Sequence, residues 1–145
     1  METVRLEQTV SAPEATVRDL VTDVKPFMKA AGFDGVTVEG DEFGITNSVG
    51  LLTIELWLRL LDTDGVLAYE QVEGVFEEMV TRYTVEKAAD GVVVAATTEF
   101  ALDVDLVGSI LDSTIIARQR RKELSAQFDY LEERAGTAGL DPNRA

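Results

Sequence analysis

The chain has 145 residues, a length that suits one domain with its own core. It contains no cysteine and no histidine, which excludes disulfides, thiolate nucleophiles, the usual Cys/His zinc sites and serine–histidine or cysteine–histidine hydrolysis. The formal net charge of −14, from 27 acidic and 13 basic residues, would repel a phosphate backbone, so we expect no nucleic-acid partner.

The acidic residues are spread along the whole chain, and lysine is scarce among the basic ones. This distribution is typical of cytoplasmic proteins from salt-adapted organisms, in which salt screens the self-repulsion. An ordinary acidic protein is the alternative. The opening METVRLEQTV alternates polar and apolar residues, unlike a signal peptide, and no apolar run approaches the ~20 residues that span a bilayer. We therefore expect a cytoplasmic protein without an integral membrane segment.

The opening of the chain predicts a strand followed by two short helices. Residues 4–10 alternate between apolar and polar side chains, so one face is buried and the other faces water. Ser11-Ala12-Pro13-Glu14 starts a helix, because proline suits the first turn and an acidic side chain suits the positive end of the helix dipole. Pro26 should end or kink this helix, and a second helix over residues 26–31 should stop at Gly32.

Alternating side chains and turn residues predict six further strands. We expect them near residues 36–38, 43–49, 52–60, 66–72, 76–87 and 92–102. The strand over 52–60 is the clearest of these, since its leucines and Ile54 share one side. The turn Asp62-Thr63-Asp64-Gly65 after it should place Gly65 at positive φ. In the last two strands, the side chains predicted to face inward are Met79, Tyr83, Val85, Val94, Ala96, Thr98 and Phe100.

From about residue 105 to 134 the apolar period becomes that of a helix. The predicted buried stripe recurs every three or four residues, at Val107, Ile110, Thr114, Ala117, Arg121, Leu124, Phe128 and Leu131. Gly136 is expected to close this helix. The chain is then one domain over residues 1–136, followed by a flexible C-terminal tail over 137–145.

Three segments carry a family resemblance: the opening strand running into Ser11-Ala12-Pro13-Glu14, the strand Leu67-Ala68-Tyr69-Glu70-Gln71-Val72-Glu73-Gly74, and the long terminal helix. In this order they resemble the START-like (SRPBCC) superfamily, and in particular its polyketide cyclase/dehydrase branch or its coenzyme Q-binding-protein-like branch. The resemblance implies an α+β helix-grip fold, a curved seven-stranded antiparallel sheet around a long C-terminal helix, with two short helices after strand 1. The superfamily has no shared catalytic signature, so the resemblance implies a cavity rather than a reaction.

The cavity follows from the shape of such a fold, because a strongly curved sheet cannot contact a straight helix along its whole length. We expect tight packing at Leu124, Phe128 and Leu131 and an opening at the N-terminal half of the helix. Pockets of this kind are mostly apolar and typically about 300–1,000 Å³. The predicted ligand-binding residues are Phe27, Met28, Leu56, Tyr69, Met79, Tyr83, Thr98, Phe100, Ile110, Thr114 and Arg121. For any one of them, simple packing in a filled core is the alternative.

Arg121 is the most distinctive of these residues, because its position on the helical wheel is near the centre of the predicted apolar face. An inward arginine is costly unless it is paired. Its expected partners are Glu70, Glu77 or a ligand oxygen, with Tyr69, Gln71 or Tyr83 as nearby hydrogen-bonding groups. The alternative is that its side chain extends along the sheet edge to solvent.

Three hypotheses about function remain open from the sequence. The first is binding or transport of a hydrophobic small molecule, such as a lipid, isoprenoid, quinone or polyketide-like aromatic compound. The second is a cyclase or dehydratase that acts on such a molecule in the same cavity. The third is an interaction module with a vestigial cavity, a homodimer through the outer sheet face that carries Trp57. No glycine-rich phosphate loop or spaced acidic loop is present, so we expect no cofactor and no metal.

Overall fold

A computed structural model describes residues 1–102 and 112–139 of the chain, with side chains through Gly136. The strands in these ranges are β1 (Glu2–Val10), β2 (Gly35–Glu39), β3 (Glu42–Val49), β4 (Leu52–Leu60), β5 (Leu67–Glu73), β6 (Phe76–Ala88) and β7 (Gly91–Leu102). The helices are α1 (Glu14–Thr22), α2 (Val24–Lys29) and α3 (Ser113–Gly139).

The seven strands form one curved antiparallel sheet in the order β1-β7-β6-β5-β4-β3-β2. The C-terminal helix α3 packs against β1 and β7, and also against α1 and α2. The predicted α+β helix-grip architecture is therefore confirmed.

Strands β6 and β7 turn alternate side chains toward α3, as their sequence pattern predicts. Met79 pairs with Phe100, Thr81 with Thr98, and Tyr83 with Ala96 in the register of the two strands. All six side chains are buried. The period of two in a strand places every second residue on the same face, so one apolar alternation determines the inner surface of the whole hairpin.

Two details of the turns differ from the prediction. The first helix ends at Thr22, and Pro26 lies inside the first turn of α2, where the missing N–H of a proline is tolerated. Gly65 does connect β4 to β5, but it is not among the glycines with positive φ. It is required for space instead, because a Cβ at this position would lie 2.5 Å from the carbonyl oxygen of Tyr83.

The long helix ends later than predicted. Its first turn is capped by Asp112, whose carboxylate accepts a hydrogen bond of 2.9 Å from the backbone N–H of Ile115. The described helix begins at Ser113, and the predicted start near residue 105 lies outside the described residues. The helix also runs through Gly136 to Gly139, so Gly136 does not end it. Val107 and Ile110 lie outside the described residues.

The buried face of α3 differs from the predicted stripe over its first three turns. Thr114 and Arg121 are exposed and Ala117 is half-buried, whereas Leu124, Phe128 and Leu131 are buried as predicted. The side chains on the buried face are those of Ile116, Arg120, Glu123, Leu124, Gln127, Phe128, Leu131 and Ala135. Three of these are polar. A prediction based on apolar residues alone omits them, and it therefore places the buried stripe one residue out of position. In the described parts of the chain, no helix is both long and apolar enough to cross a membrane.

Candidate functional site

A pocket lies between the first turns of α3 and the inner face of the sheet. The space inside it measures about 50 Å³, and about 540 Å³ when the gaps between side chains and the solvent at its mouth are included. Its apolar walls are formed by Phe33, Ile45, Val49, Ile54, Leu56, Leu58, Phe76, Met79, Phe100 and Ile116. Its polar lining comes from Asn47, Tyr69, Thr98, Gln119, Arg120 and Glu123.

The two ends of α3 pack differently: the C-terminal end is buried tightly, and the N-terminal end borders the pocket. Leu124, Phe128 and Leu131 are each fully buried against the sheet and the short helices. The pocket borders Ile116 and Arg120 instead, at the N-terminal end of the helix where we expected space. At about 50 Å³ it holds only a few water molecules, and it is narrower than the expected ligand cavity.

The polar centre of the pocket is the guanidinium of Arg120, whose side chain is 9% exposed. Its Nε donates to Thr98 Oγ1 at 2.9 Å, and Nη1 donates to Glu123 Oε1 at 3.0 Å. Its Nη2 donates to the hydroxyl of Tyr69 at 2.5 Å and to Thr81 Oγ1 at 3.2 Å. The arginine therefore connects α3 to three adjacent strands, β5, β6 and β7.

Glu123 neutralises this charge and is itself held by neighbouring side chains. Its Oε2 accepts hydrogen bonds from Asn47 Nδ2 at 2.8 Å and from Gln119 Nε2 at 3.1 Å. Asn47 lies on β3, so the hydrogen bonds of the Glu123 carboxylate connect α3 to a fourth strand of the sheet. A buried cation and anion that satisfy one another in this way avoid the large cost of a single buried charge.

A second chain of hydrogen bonds runs from the arginine toward α2. The hydroxyl of Tyr83 lies 3.5 Å from Arg120 Nη2 and 3.4 Å from the hydroxyl of Tyr69. It donates to Gln127 Oε1 at 2.6 Å, and Gln127 Nε2 donates in turn to the backbone carbonyl of Phe27 at 3.1 Å. Every buried side-chain nitrogen and oxygen among the described residues has a partner.

The surroundings keep these groups in defined protonation states. Burial raises the pKa of Tyr83 well above its ordinary value, and the nearby Tyr69 raises it further, although Arg120 acts in the opposite direction. Burial lowers the pKa of Arg120, but Tyr69, Tyr83 and Glu123 outweigh that effect and the net direction is upward. At neutral pH the site therefore holds a charged arginine beside a neutral Tyr83.

The structure brings about half of the predicted ligand-binding residues together. Leu56, Tyr69, Met79, Thr98 and Phe100 line the pocket. Tyr83 lies directly behind it, in contact with Tyr69 and Arg120.

The other predicted residues lie elsewhere. Phe27 and Met28 are fully buried near Gln127 and do not line the pocket. Thr114 is exposed, and Ile110 is outside the described residues.

The inward arginine is Arg120, so the choice of Arg121 is wrong by one position. Arg121 is exposed to solvent, as in the alternative considered for it. The predicted tyrosine neighbours are correct, but neither predicted carboxylate partner is. Glu77 is exposed and Glu70 pairs with Arg59 on the outer face, at 2.8 Å. The actual partner, Glu123, lies three residues along the same helix.

Sequence reasoning missed six polar residues of the site: Asn47, Thr81, Gln119, Arg120, Glu123 and Gln127. A signal for Arg120, Glu123 and Gln127 was present, since positions 116, 120, 123, 127 and 131 also follow a helical spacing. An apolar pattern does not reveal that spacing, because three of its five members are polar. No local signal marks Asn47, whose place opposite Glu123 depends on the packing of β3 against α3.

The chain is similar to known proteins in its structure. No family model and no curated protein matches the chain. Among solved structures, the aromatase/cyclase ZhuI of a Streptomyces species is 20% identical, with a TM-score of 0.76 over 97% of this chain and 99% of its own. A Thermus thermophilus protein is 19% identical, with a TM-score of 0.75 over 96% of this chain and 100% of its own.

A START superfamily protein of Mycobacterium smegmatis gives a TM-score of 0.74 at 10% identity, over 94% of this chain and 98% of its own. At such low identities the likeness establishes the fold and not a shared activity. The fold of this chain is that of the START-like, or SRPBCC, proteins.

Proposed function

We propose that the protein binds an apolar small molecule that carries at least one polar oxygen, in the pocket beside Arg120. The observation that carries this proposal is a charged guanidinium that lines a mostly apolar pocket. Binding sites for small molecules combine apolar walls with a few well-placed polar groups that fix the orientation of the ligand. Ile54, Leu56, Met79 and Phe100 supply such walls here.

The arginine can serve a ligand without losing its present partners. Its Nη1 nitrogen carries two hydrogens, and among the described residues Nη1 contacts only Glu123. The second hydrogen can therefore reach a carbonyl, enolate or carboxylate oxygen. A neutral oxygen suits the site better than an anion, because Glu123 already balances the charge of Arg120 and a further negative charge would lie close to its carboxylate.

The pocket has to widen for such a ligand, and its lining allows this. Met79 and Ile116 have rotatable side chains, and methionine adapts readily to irregular space. The gaps around the pocket and its mouth already amount to about 540 Å³. A ligand with one or two rings therefore needs changes of side-chain rotamer rather than a rearrangement of the sheet.

The direct test is mass spectrometry of small molecules that copurify with the folded chain, followed by titration of the recovered compound. We expect an apolar molecule with a carbonyl or similar oxygen, and we expect Leu56→Trp, which fills the pocket, to lose it. The matched control is Leu60→Trp, further along the same strand and outside the pocket lining. Equal binding by the two variants would overturn the proposal.

A cyclase or dehydratase reaction in the same pocket is the second candidate. The observation that favours it is the same guanidinium, because a fixed hydrogen-bond donor stabilises the partial negative charge that develops on a carbonyl oxygen during enolisation. Its test is turnover of the recovered ligand. Turnover by the unchanged protein would support an enzyme, and binding without any turnover would support a carrier.

A further inference from the structure

The direction of the hydrogen bonds behind the pocket can be assigned from one fixed acceptor. The backbone carbonyl of Phe27 can only accept, so the side of the Gln127 amide that faces it at 3.1 Å must be the NH₂ group. The amide oxygen of Gln127 then faces the hydroxyl of Tyr83 at 2.6 Å, and it can only accept. The single hydroxyl hydrogen of Tyr83 is therefore committed to Gln127.

The hydroxyl hydrogen of Tyr69 can be assigned in the same way, starting from Arg120 as a fixed donor. Arginine has donors and no acceptor, so the contact of 2.5 Å between Arg120 Nη2 and the Tyr69 hydroxyl uses a lone pair of that oxygen. Tyr83 cannot donate to Tyr69, since its own hydrogen is engaged. Within the described residues, the hydroxyl hydrogen of Tyr69 then has only Tyr83 as acceptor, at 3.4 Å, which is too long for a strong bond.

Tyr69 also lines the pocket, whereas Tyr83 does not. We infer that Tyr69 is a specificity-determining residue that donates its hydroxyl hydrogen to an acceptor oxygen of the ligand, and so selects a carbonyl compound over its hydrocarbon analogue. This inference rests on the proposed function, because it names the chemistry by which the same pocket chooses its ligand. Arg120 holds the hydroxyl in place and increases its strength as a donor, since hydrogen bonds in a series polarise one another.

A matched pair of probes tests this selection. Acetophenone and α-methylstyrene have nearly the same shape, but only the first has an acceptor oxygen in place of a methylene group. We expect acetophenone to bind about tenfold more tightly to the unchanged protein, the effect of one net hydrogen bond in a buried site. The dissociation constants are measured by NMR titration, following the methyl signals of Leu56 and Met79.

The variant Tyr69→Phe keeps the ring that packs edge-on against Phe43, with 5.3 Å between the ring centres, and removes only the hydroxyl. We expect the preference for acetophenone to fall about fivefold or more in this variant. The control is Tyr130→Phe, a half-buried tyrosine outside the pocket lining, in which the preference should not change.

The outcomes separate this inference from the proposed function. If both probes bind and Tyr69→Phe keeps the full preference, the role of Tyr69 is wrong while the binding function stands. If neither probe shifts the pocket signals, the binding function itself fails. Should Tyr69→Phe not fold, the NMR signal of the Tyr69 hydroxyl proton in the unchanged protein decides, compared with acetophenone and with α-methylstyrene bound. A downfield shift with acetophenone alone supports Tyr69 as the donor, and the same signal with both probes overturns it.

Discussion

Arg120 and Glu123 form an ion pair one turn apart on α3, with 3.0 Å between Nη1 and Oε1 and side chains that are 9% and 8% exposed. Each partner also bonds to the sheet, the arginine through Thr98 and the glutamate through Asn47. The pair therefore fixes the rotation of the helix over the strands at the place where apolar packing gives way to the pocket. Because both ions are desolvated, the free energy of folding depends on their remaining together.

Removal of one partner should be far more harmful than removal of both. We expect Glu123→Leu to lower the free energy of unfolding by about 3–5 kcal/mol, since it leaves Arg120 buried without a counter-charge. The double variant Arg120→Met/Glu123→Leu should lose clearly less than the sum of its two single variants. Urea denaturation of the four proteins measures the coupling.

The exposed pair Arg5–Glu7, in which both side chains are 59% exposed, provides the control. Glu7→Leu should change stability little, because surface ion pairs contribute little. Additive losses in the Arg120 and Glu123 variants would contradict the buried pairing.

Truncation of a buried side chain should cost more stability at the C-terminal end of α3 than at its N-terminal end. Phe128→Ala should lower the free energy of unfolding by about 3–5 kcal/mol, because it leaves a cavity in the tightly filled end of the core. Ile116→Ala should cost only about 2 kcal/mol, since this side chain borders space that already exists. The two values are compared by urea melts at the same pH and salt concentration. Equal losses would contradict the tighter packing around Phe128 than around Ile116.

Stability should decrease in alkaline solution through Tyr83. Burial raises the pKa of this tyrosine well above its ordinary value, so the folded chain retains a proton that the unfolded chain releases. The free energy of unfolding is then fully maintained below pH 10 and falls as the pH rises above it, by up to about 1.4 kcal/mol per pH unit.

The variant Tyr83→Phe isolates this effect in urea melts between pH 9 and pH 11.5. It should be less stable at neutral pH, because Gln127 loses the donor of a buried hydrogen bond, but its stability should fall less steeply with pH. Tyr130→Phe should keep the steep fall of the unchanged protein. A slope that Tyr83→Phe leaves unaltered would rule out this tyrosine as the cause.

Added salt should stabilise the protein, because a net charge of −14 opposes the compact state until counter-ions screen it. We expect the melting temperature to rise with KCl concentration. The double variant Glu77→Gln/Glu78→Gln removes two exposed negative charges, so its melting temperature should rise less over the same range. A melting temperature that does not respond to KCl in the unchanged protein would overturn the inference of salt adaptation.

The strands were predictable because inward and outward side chains alternate along most of their length. In β4, Ile54, Leu56 and Leu58 are buried while Thr53, Glu55 and Arg59 are exposed. In a strand, local side-chain order is enough to assign the buried face, since a period of two allows only two faces.

The site was harder to predict because a helix offers many possible faces, and its buried face here is partly polar. Rotation by one residue exchanges Arg120 for Arg121, and both occur in the run Arg120-Arg121-Lys122. The burial of Arg120 depends on acceptors from three strands, which lie 22 to 51 residues away along the chain. Because these acceptors are distant in sequence, no local pattern around Arg120 indicates that it is buried.

The amino-acid sequence by itself determined the order of the strands and helices, the inner face of the sheet and the end of α3 that packs tightly, because each follows from the period of apolar residues. Only the tertiary structure decided which arginine is buried, that its counter-ion is Glu123, and that Tyr69 rather than Tyr83 lines the pocket. The physical reason is that a buried polar group is stabilised by partners distant in sequence, and these meet only when the sheet curves around the helix.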